Sequence, residues 1–342
     1  MQNIKNFTFE QLRKFITDMG QPKYRAGQIF TWLAGGAEDF TQMTNLPKLL
    51  QSALAQRAYV SVPKIEKKLV STDGTVKYLW RLGDDNFIES VIMQYKHGLS
   101  VCVSTQVGCN MGCKFCASAI GGKVRDLGAG EILDQIIFAE KDLGKRISNV
   151  VLMGMGEPLD NYDQVVAFLQ NAGHEKGLNI SFRHMVLSTC GLCDKIEQLG
   201  QLKLPITLSV SLHAPDNDMR NSIMQINNKY PIETLMDCCR RYIETTGRRI
   251  SFEYTLIDGQ NDSTQCAKKL ADLLGGMLCH VNLIPVNRVE ETTFEKSRPQ
   301  NVQRFLEVLL KNRINATVRR ELGSDIAASC GQLRKKQIQT TS

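Results

Sequence analysis

Residues 100–116 read SVCVSTQVGCNMGCKFC, residues 131–143 read EILDQIIFAEKDL, and residues 149–154 read NVVLMG. The first begins with, and the last is, a short run of β-branched apolar residues, while the middle stretch repeats its apolar positions at helical spacing. A strand, a helix and a second strand in that order pack with their strands parallel. The alternation continues with NYDQVVAFLQNA (161–172), then HMVLST (184–189) before DKIEQLGQL (194–202), and ITLSVSL (206–212) before IETLMDCCRRYIETT (232–246). RISFEYTLI (249–257) precedes STQCAKKLADLLG (263–275), and HVNLIPV (280–286) precedes NVQRFLEVLLKN (301–312). Six such units over residues 100–334 predict an α/β fold, a partial and open (β/α)6 barrel of the TIM type.

Working outward, residues 63–99 switch to a period of two. KIEKKLVST, TVKYLWRL and NFIESVIMQY are separated by Asp73-Gly74 and by Gly83-Asp84-Asp85-Asn86, which predicts a β-meander extension leading into the barrel. Residues 1–62 read as a small helical accessory domain of three helices, the first entered from Thr8 with Gln11 three residues on. Gly20, Pro22 and Gly35-Gly36 mark the helix ends. Residues 335–342 form a polar tail.

With 342 residues and 42% hydrophobic content, the chain can bury a large core. No window approaches the roughly eighteen consecutive apolar residues of a membrane span, and the start, MQNIKNFTFEQ, lacks a signal-peptide core. The reading is a cytoplasmic protein with no membrane partner. Eleven cysteines are then expected to be reduced, with a subset acting as ligands or reagents. A net charge of +7 suits a polyanionic partner.

In a barrel of this kind, chemistry belongs at the C-terminal ends of the strands. The polar candidates fall there. Cys109, Cys113 and Cys116 follow the first strand, Gly156-Glu157-Pro158 the second, Ser188 the third, Ser211-Leu212-His213 the fourth and Asn287 the sixth. Three thiolates at C-x3-C-x2-C on one loop can hold three corners of a [4Fe-4S] cubane and leave the fourth iron open. That is the pattern of the radical S-adenosylmethionine class, where the open iron binds S-adenosyl-L-methionine. A structural zinc site would want a fourth ligand, and the nearby His97 and Cys102 lack zinc-knuckle spacing.

The combination resembles a specific family, the RlmN/Cfr adenosine methyltransferases that modify 23S ribosomal RNA. The resemblance is carried by VCVSTQVGCNMGCKFCAS (101–118), VLMGMGEPLDN (151–161), VLSTCG (186–191), SLHAPDNDMR (211–220), HVNLIPVNR (280–288) and GSDIAASCGQL (323–333), nearly the whole chain. It implies that Gly156, Glu157, Ser188, Ser211, Leu212, His213 and Asn287 bind S-adenosylmethionine. It further implies a one-electron reductant such as flavodoxin or ferredoxin. Reading Gly-Glu-Pro-Leu at 156–159, with proline at 158, resembles the members that methylate adenine C2 rather than the resistance enzymes that methylate C8. The C2 members also modify a tRNA adenosine beside the anticodon. Ala327 departs from the acidic residue common at that position.

Adenine C2 is electron-poor, so polar attack on a methyl sulfonium is closed, and a carbon radical adding to the ring needs a methyl group already held beside the base. By the resemblance Cys330 is that methyl carrier, Cys102 resolves the product by forming a disulfide with it, and Glu89 takes the ring proton after addition. Two rivals predict different behaviour: a radical enzyme acting on another substrate has no use for Cys330 and Cys102, and a zinc-stabilised RNA-binding module consumes no S-adenosylmethionine. Lys123, Arg125, Arg248, Arg249, Arg319, Arg320 and the basic residues of the first sixty are candidate phosphate contacts. Selection of one adenosine is expected to come from flipping it into the barrel mouth.

Overall fold

The computed structural model describes residues 1–289 and 291–333; the predicted polar tail at 335–342 lies outside the described residues. Three helices open the chain: α1 (Phe9–Asp18), α2 (Tyr24–Ala34) and α3 (Lys48–Ala55). The predicted entry at Thr8 is a complete capping box, in which the Thr8 side chain accepts from Gln11 N and the Gln11 side chain accepts from Thr8 N. Leu12, Ile16, Ile29, Phe30, Leu50 and Leu54 bury one small core of their own. That unit is tied to the rest of the chain through polar contacts, including Lys5 Nζ donating to Asp134 at 2.5 Å and Gly130 N donating to Asn6 Oδ1 at 2.9 Å.

The remainder is built on one ten-stranded sheet whose strands lie side by side in chain order. They are β1 (Lys64–Val70), β2 (Val76–Arg81), β3 (Phe87–Tyr95), β4 (Gly98–Cys102), β5 (Ile147–Leu152), β6 (Met185–Thr189), β7 (Thr207–Ser211), β8 (Ile250–Leu256), β9 (Cys279–Pro285) and β10 (Ala316–Val318). β1 to β4 pair antiparallel and β4 to β10 pair parallel, so the meander and the barrel share β4 without a break in hydrogen bonding. The sheet is open, with β1 and β10 at its edges. In the parallel part, α4 (Ala129–Leu143), α5 (Tyr162–Gly173), α6 (Cys193–Gln201), α7 (Asn217–Ile223), α8 (Ile232–Thr246), α9 (Thr264–Leu274) and α10 (Pro299–Lys311) connect the strands.

Two features differ from the six-unit reading. A seventh parallel strand, β10, pairs with β9 through Val281↔Ala316 to Leu283↔Val318. Three residues with Thr317 and Val318 exposed give no apolar run to read. The fourth connection holds an extra short helix, α7, capped by the Asp216 side chain on Met219 N. Among the described residues no helix is long and apolar enough to cross a membrane.

Candidate active site

The loop after β4 carries the three cysteines. Gln106–Val107 pairs antiparallel with Arg125–Asp126, and Gly108 follows at φ +77°, where a Cβ would lie 2.0 Å from Gly122 O. Only glycine fits that close approach. Lys114 N donates to Ile223 O of α7 at 3.0 Å, and Cys116 N to Cys113 O at 3.1 Å. The C-terminal segment lies across the same loop, with Ala117 N donating to Gly331 O at 2.8 Å and Ser118 Oγ to Leu333 O at 2.6 Å.

Burial pushes the Cys109 thiol up to about 12 and raises Cys113 and Cys116 as well. Bound iron reverses that logic, because a ligated thiol is deprotonated outright. Among the described residues no three His, Cys, Asp or Glu side chains are gathered tightly enough to hold a single metal ion. A cubane makes a different demand, one thiolate at each of three separate irons, and three thiols facing one cavity fit it.

That cavity is lined by Cys109, Cys113 and Cys116 and also by Gly156, Glu157, Ser188, Ser211, His213, Asn287 and Cys330. Gly156 sits at φ +102°, where a Cβ would come 2.6 Å from the Gln106 Cβ, so the backbone after β5 packs directly on the cysteine loop. Glu157 is 4% exposed and fixed at both ends. Its N–H donates to Gln106 Oε1 at 2.8 Å, while its carboxylate accepts from Leu159 N at 3.0 Å and Cys190 N at 2.8 Å. Burial raises its pKa, and those N–H donors oppose the rise.

His213 adopts φ +57°; its Nδ1 accepts from Thr255 N at 2.9 Å, and Asn261 Nδ2 donates to its carbonyl at 2.8 Å. The ring packs edge-on against Phe115 at 4.8 Å, and burial depresses its pKa to about 3, so it is a neutral wall of the cavity. Leu212 does not line the cavity. Its side chain is buried in the core, its N–H donates to Glu253 O at 3.1 Å, and its carbonyl accepts from Arg220 Nε at 3.1 Å.

A second cavity adjoins the first and is lined by Val91, Met93, Tyr95, Cys102, Arg320, Leu322 and Cys330 among others. Met153, Ile284, Asn287, Arg319 and Cys330 face both. Cys102 is a buried thiol pushed up to about 12, first by burial and then by the neighbouring Cys330, with Arg319 opposing. Glu89 lines neither cavity. It lies on the same face of β3 as Val91, Met93 and Tyr95, which do line the second. Its carboxylate pairs with Lys77 at 2.9 Å, and Lys77 Nζ also donates to Ala327 O at 2.9 Å, which links Glu89 to the segment bearing Cys330.

Sequence reading missed several residues here. Gln106, Cys190, Glu253 and Arg220 all position this site; the first two and Arg220 lie inside the segments that carry the family resemblance but were given no role there, and Glu253, within a buried strand, lies in no motif. The basic residues named as candidate phosphate contacts sit in different surroundings. Arg319 points inward between the two cavities, 3.5 Å from Met153 Sδ and 3.8 Å from Glu253 Oε2. Lys123 is engaged by Asp126 and Asp160, Arg125 by Asp84 and Glu131, and Arg248 by the Ile206 carbonyl. Arg249 and Arg320 are exposed.

Residues 103–270 match the Radical SAM superfamily, and residues 2–60 match the ribosomal RNA large subunit methyltransferase N-terminal domain. A relative from Alkaliphilus oremlandii, named a probable dual-specificity RNA methyltransferase RlmN, is 53% identical and covers 98% of each chain. Another of that name, from Clostridium acetobutylicum, is 51% identical and covers 99% of each. A crystal structure of a radical SAM methyltransferase from Sphaerobacter thermophilus superposes with a TM-score of 0.92 at 42% identity, covering 98% of this chain and 99% of that one.

Proposed function

Because the chain belongs to the RlmN family of radical S-adenosylmethionine RNA methyltransferases, we propose that it methylates C2 of a specific adenosine in the peptidyl-transferase region of 23S rRNA and of the adenosine 3′ to the anticodon in tRNA. Its cofactors are a [4Fe-4S] cluster and S-adenosyl-L-methionine. Bound there, they supply a methyl group and one-electron chemistry, with the electron coming from a small donor such as flavodoxin or ferredoxin. The proposed setting is the cytoplasm.

The observation that carries this reading is the position of Cys330, which faces both the cavity of the three cysteines and the cavity of Cys102. In the proposed reaction Cys109, Cys113 and Cys116 hold the cluster. Gly156, Glu157, Ser188, Ser211, the backbone of Leu212, His213 and Asn287 hold S-adenosylmethionine. Cys330 takes a methyl group from one S-adenosylmethionine, losing its thiol proton to form a thioether. With a second S-adenosylmethionine bound, the site would supply the one-electron chemistry that removes a hydrogen atom from that methyl carbon and readies it for addition to the base. Glu89 then accepts the ring proton, which the adduct releases far more readily than adenine does. The Cys102 thiolate attacks the Cys330 sulfur, and the carbon leaves with the bonding pair and takes up a proton to become the methyl group; the unpaired electron of the adduct passes to a one-electron acceptor, and two-electron reduction of the resulting disulfide restores both thiols.

Anaerobic incubation with labelled S-adenosylmethionine and unmodified 23S rRNA, followed by nucleoside mass spectrometry, tests the reading. The expected product is 2-methyladenosine. Finding 8-methyladenosine overturns the regiochemistry and places the chain with the C8 enzymes.

A further inference from the structure

Arg220 of α7 has no exposed surface, yet its hydrogen-bond partners are all neutral. Nε donates to Leu212 O at 3.1 Å, Nη1 to Asn227 Oδ1 at 3.0 Å and Tyr230 O at 3.4 Å, and Nη2 to Cys190 O at 2.7 Å and Ser211 O at 3.1 Å. Five donors meet five acceptors, so the guanidinium cannot turn. Among the described residues no carboxylate oxygen lies within 4.0 Å of it. Hydrogen bonds satisfy its N–H groups but leave its charge uncompensated in a dry interior, which is costly unless an anion completes the site.

The helix that carries Arg220 is also the wall against which the cysteine loop rests. Ile223 at the end of α7 accepts from Lys114 N, between Cys113 and Cys116, at 3.0 Å. Three of the carbonyls that Arg220 holds, those of Cys190, Ser211 and Leu212, belong to the ends of β6 and β7 around the same cavity. Cys190, whose carbonyl Arg220 holds, lines the cavity together with Cys109, Cys113 and Cys116, so the guanidinium sits behind the wall that faces the three cysteines.

We infer that Arg220 is the fixed counter-charge of the iron–sulfur cluster held by Cys109, Cys113 and Cys116, and that it sets how readily this cluster takes up an electron. The inference rests on the reading of those three cysteines as ligands. Three thiolates leave the ligated cluster net negative, and reduction adds one further negative charge without a proton. A cation pinned nearby in a low-dielectric wall favours the reduced form over the oxidised one, which raises the potential. Because the guanidinium is already oriented, nothing has to reorganise when the electron arrives.

The test compares anaerobically reconstituted wild type, Arg220→Met and Arg220→Lys, with iron content measured first and the cluster then titrated with dithionite and followed by electron paramagnetic resonance. Arg220→Met is expected to make reduction at least tenfold less favourable, a midpoint lower by about 59 mV for one electron. Arg220→Lys keeps the charge and stays nearer to wild type. A merely structural arginine weakens S-adenosylmethionine binding in both variants and leaves the midpoint in place, and a midpoint unmoved in Arg220→Met overturns the inference. Where Arg220→Met does not fold, Arg220→Gln takes its place as the charge-removing variant under the same criterion: a midpoint lower by about 59 mV or more upholds the counter-charge, and an unmoved midpoint overturns it. A wild-type chain that takes up no iron overturns the ligand reading itself, an outcome distinct from a cluster that forms and is indifferent to Arg220.

Discussion

The side-chain amide of Asn287 donates to the carbonyl oxygen of Cys330 at 2.9 Å. One residue at the end of β9 thus faces the cavity proposed for S-adenosylmethionine and also fixes the backbone of the proposed methyl carrier. Asn287→Ala removes both contacts. We expect weaker S-adenosylmethionine binding by roughly tenfold, the equivalent of about one hydrogen bond. Faster tryptic release of the segment after residue 319 is expected alongside. Equilibrium binding and timed digestion read the two effects separately, and an unchanged affinity removes Asn287 from the cofactor site.

Cys330→Ala leaves the three proposed cluster ligands, Cys109, Cys113 and Cys116, untouched. Iron content and the iron–sulfide absorbance are expected to match wild type, while methyl transfer to RNA falls by roughly 10³-fold or more, as for loss of an essential nucleophile. Peptide mass spectrometry is expected to find methyl on Cys330 of wild type and none in the variant. Transfer to adenosine by the variant sinks the carrier mechanism.

Cys102→Ala separates attachment from release. Cys330 is still expected to become methylated and joined to the base, but the covalent RNA–protein species then persists because no second thiol displaces the carbon. The measurement is a denaturing gel of the reaction with labelled RNA. Free methylated RNA at the wild-type rate is the contrary result.

Glu89 is buried against Lys77 at 2.9 Å, so its two variants differ in kind. Glu89→Gln keeps the shape and removes the proposed base, and methyl transfer is expected to fall by roughly 10²-fold or more while S-methylation of Cys330 continues. Lys77→Met leaves a buried carboxylate without this partner and is expected to cost stability first, roughly 3 kcal/mol. Urea midpoints and single-turnover assays distinguish the two.

Asp73 accepts from Gly323 N and from Thr75 N, each at 2.9 Å, which straps the C-terminal segment to the β1–β2 turn. Burial acts to raise its pKa, but these bonds outweigh it and hold the carboxyl at about 2, below its ordinary 3.8. The native state therefore binds fewer protons than the unfolded chain between those values. The strap's contribution is present above about pH 4 and is lost as pH falls toward 2. Asp73→Asn is expected to flatten that part of the acid-unfolding curve, followed by circular dichroism, and to change neutral-pH stability by about 1 kcal/mol or less because the site is exposed.

Much of the fold was legible because it is periodic. Six strand-and-helix pairs announce parallel strands, and parallel strands place all their C-terminal ends on one side, so Cys109, Glu157, Ser188, Ser211 and Asn287 were predicted at one mouth from order alone. The Thr8 cap was legible for the same reason: both halves of its hydrogen bonding lie within one turn. β10 was not, since three residues at a sheet edge are specified by their neighbour β9 and by little in their own composition.

What the sequence determined by itself was local and repetitive: the period of each segment, the loop that gathers the three cysteines, and the side of the sheet on which polar residues emerge. The tertiary structure alone decided which distant groups meet. It turned Arg319 inward between two cavities and gave Arg220 five neutral acceptors. It strapped residues 323–333 across the barrel through Asp73, Lys77 and Ala117, so that Cys330 and Cys102 face one space. Spacing along a chain fixes neighbours within a turn or a strand, whereas the partner of a buried charge depends on how whole elements pack, and that packing is settled only when the hydrophobic core closes around the sheet.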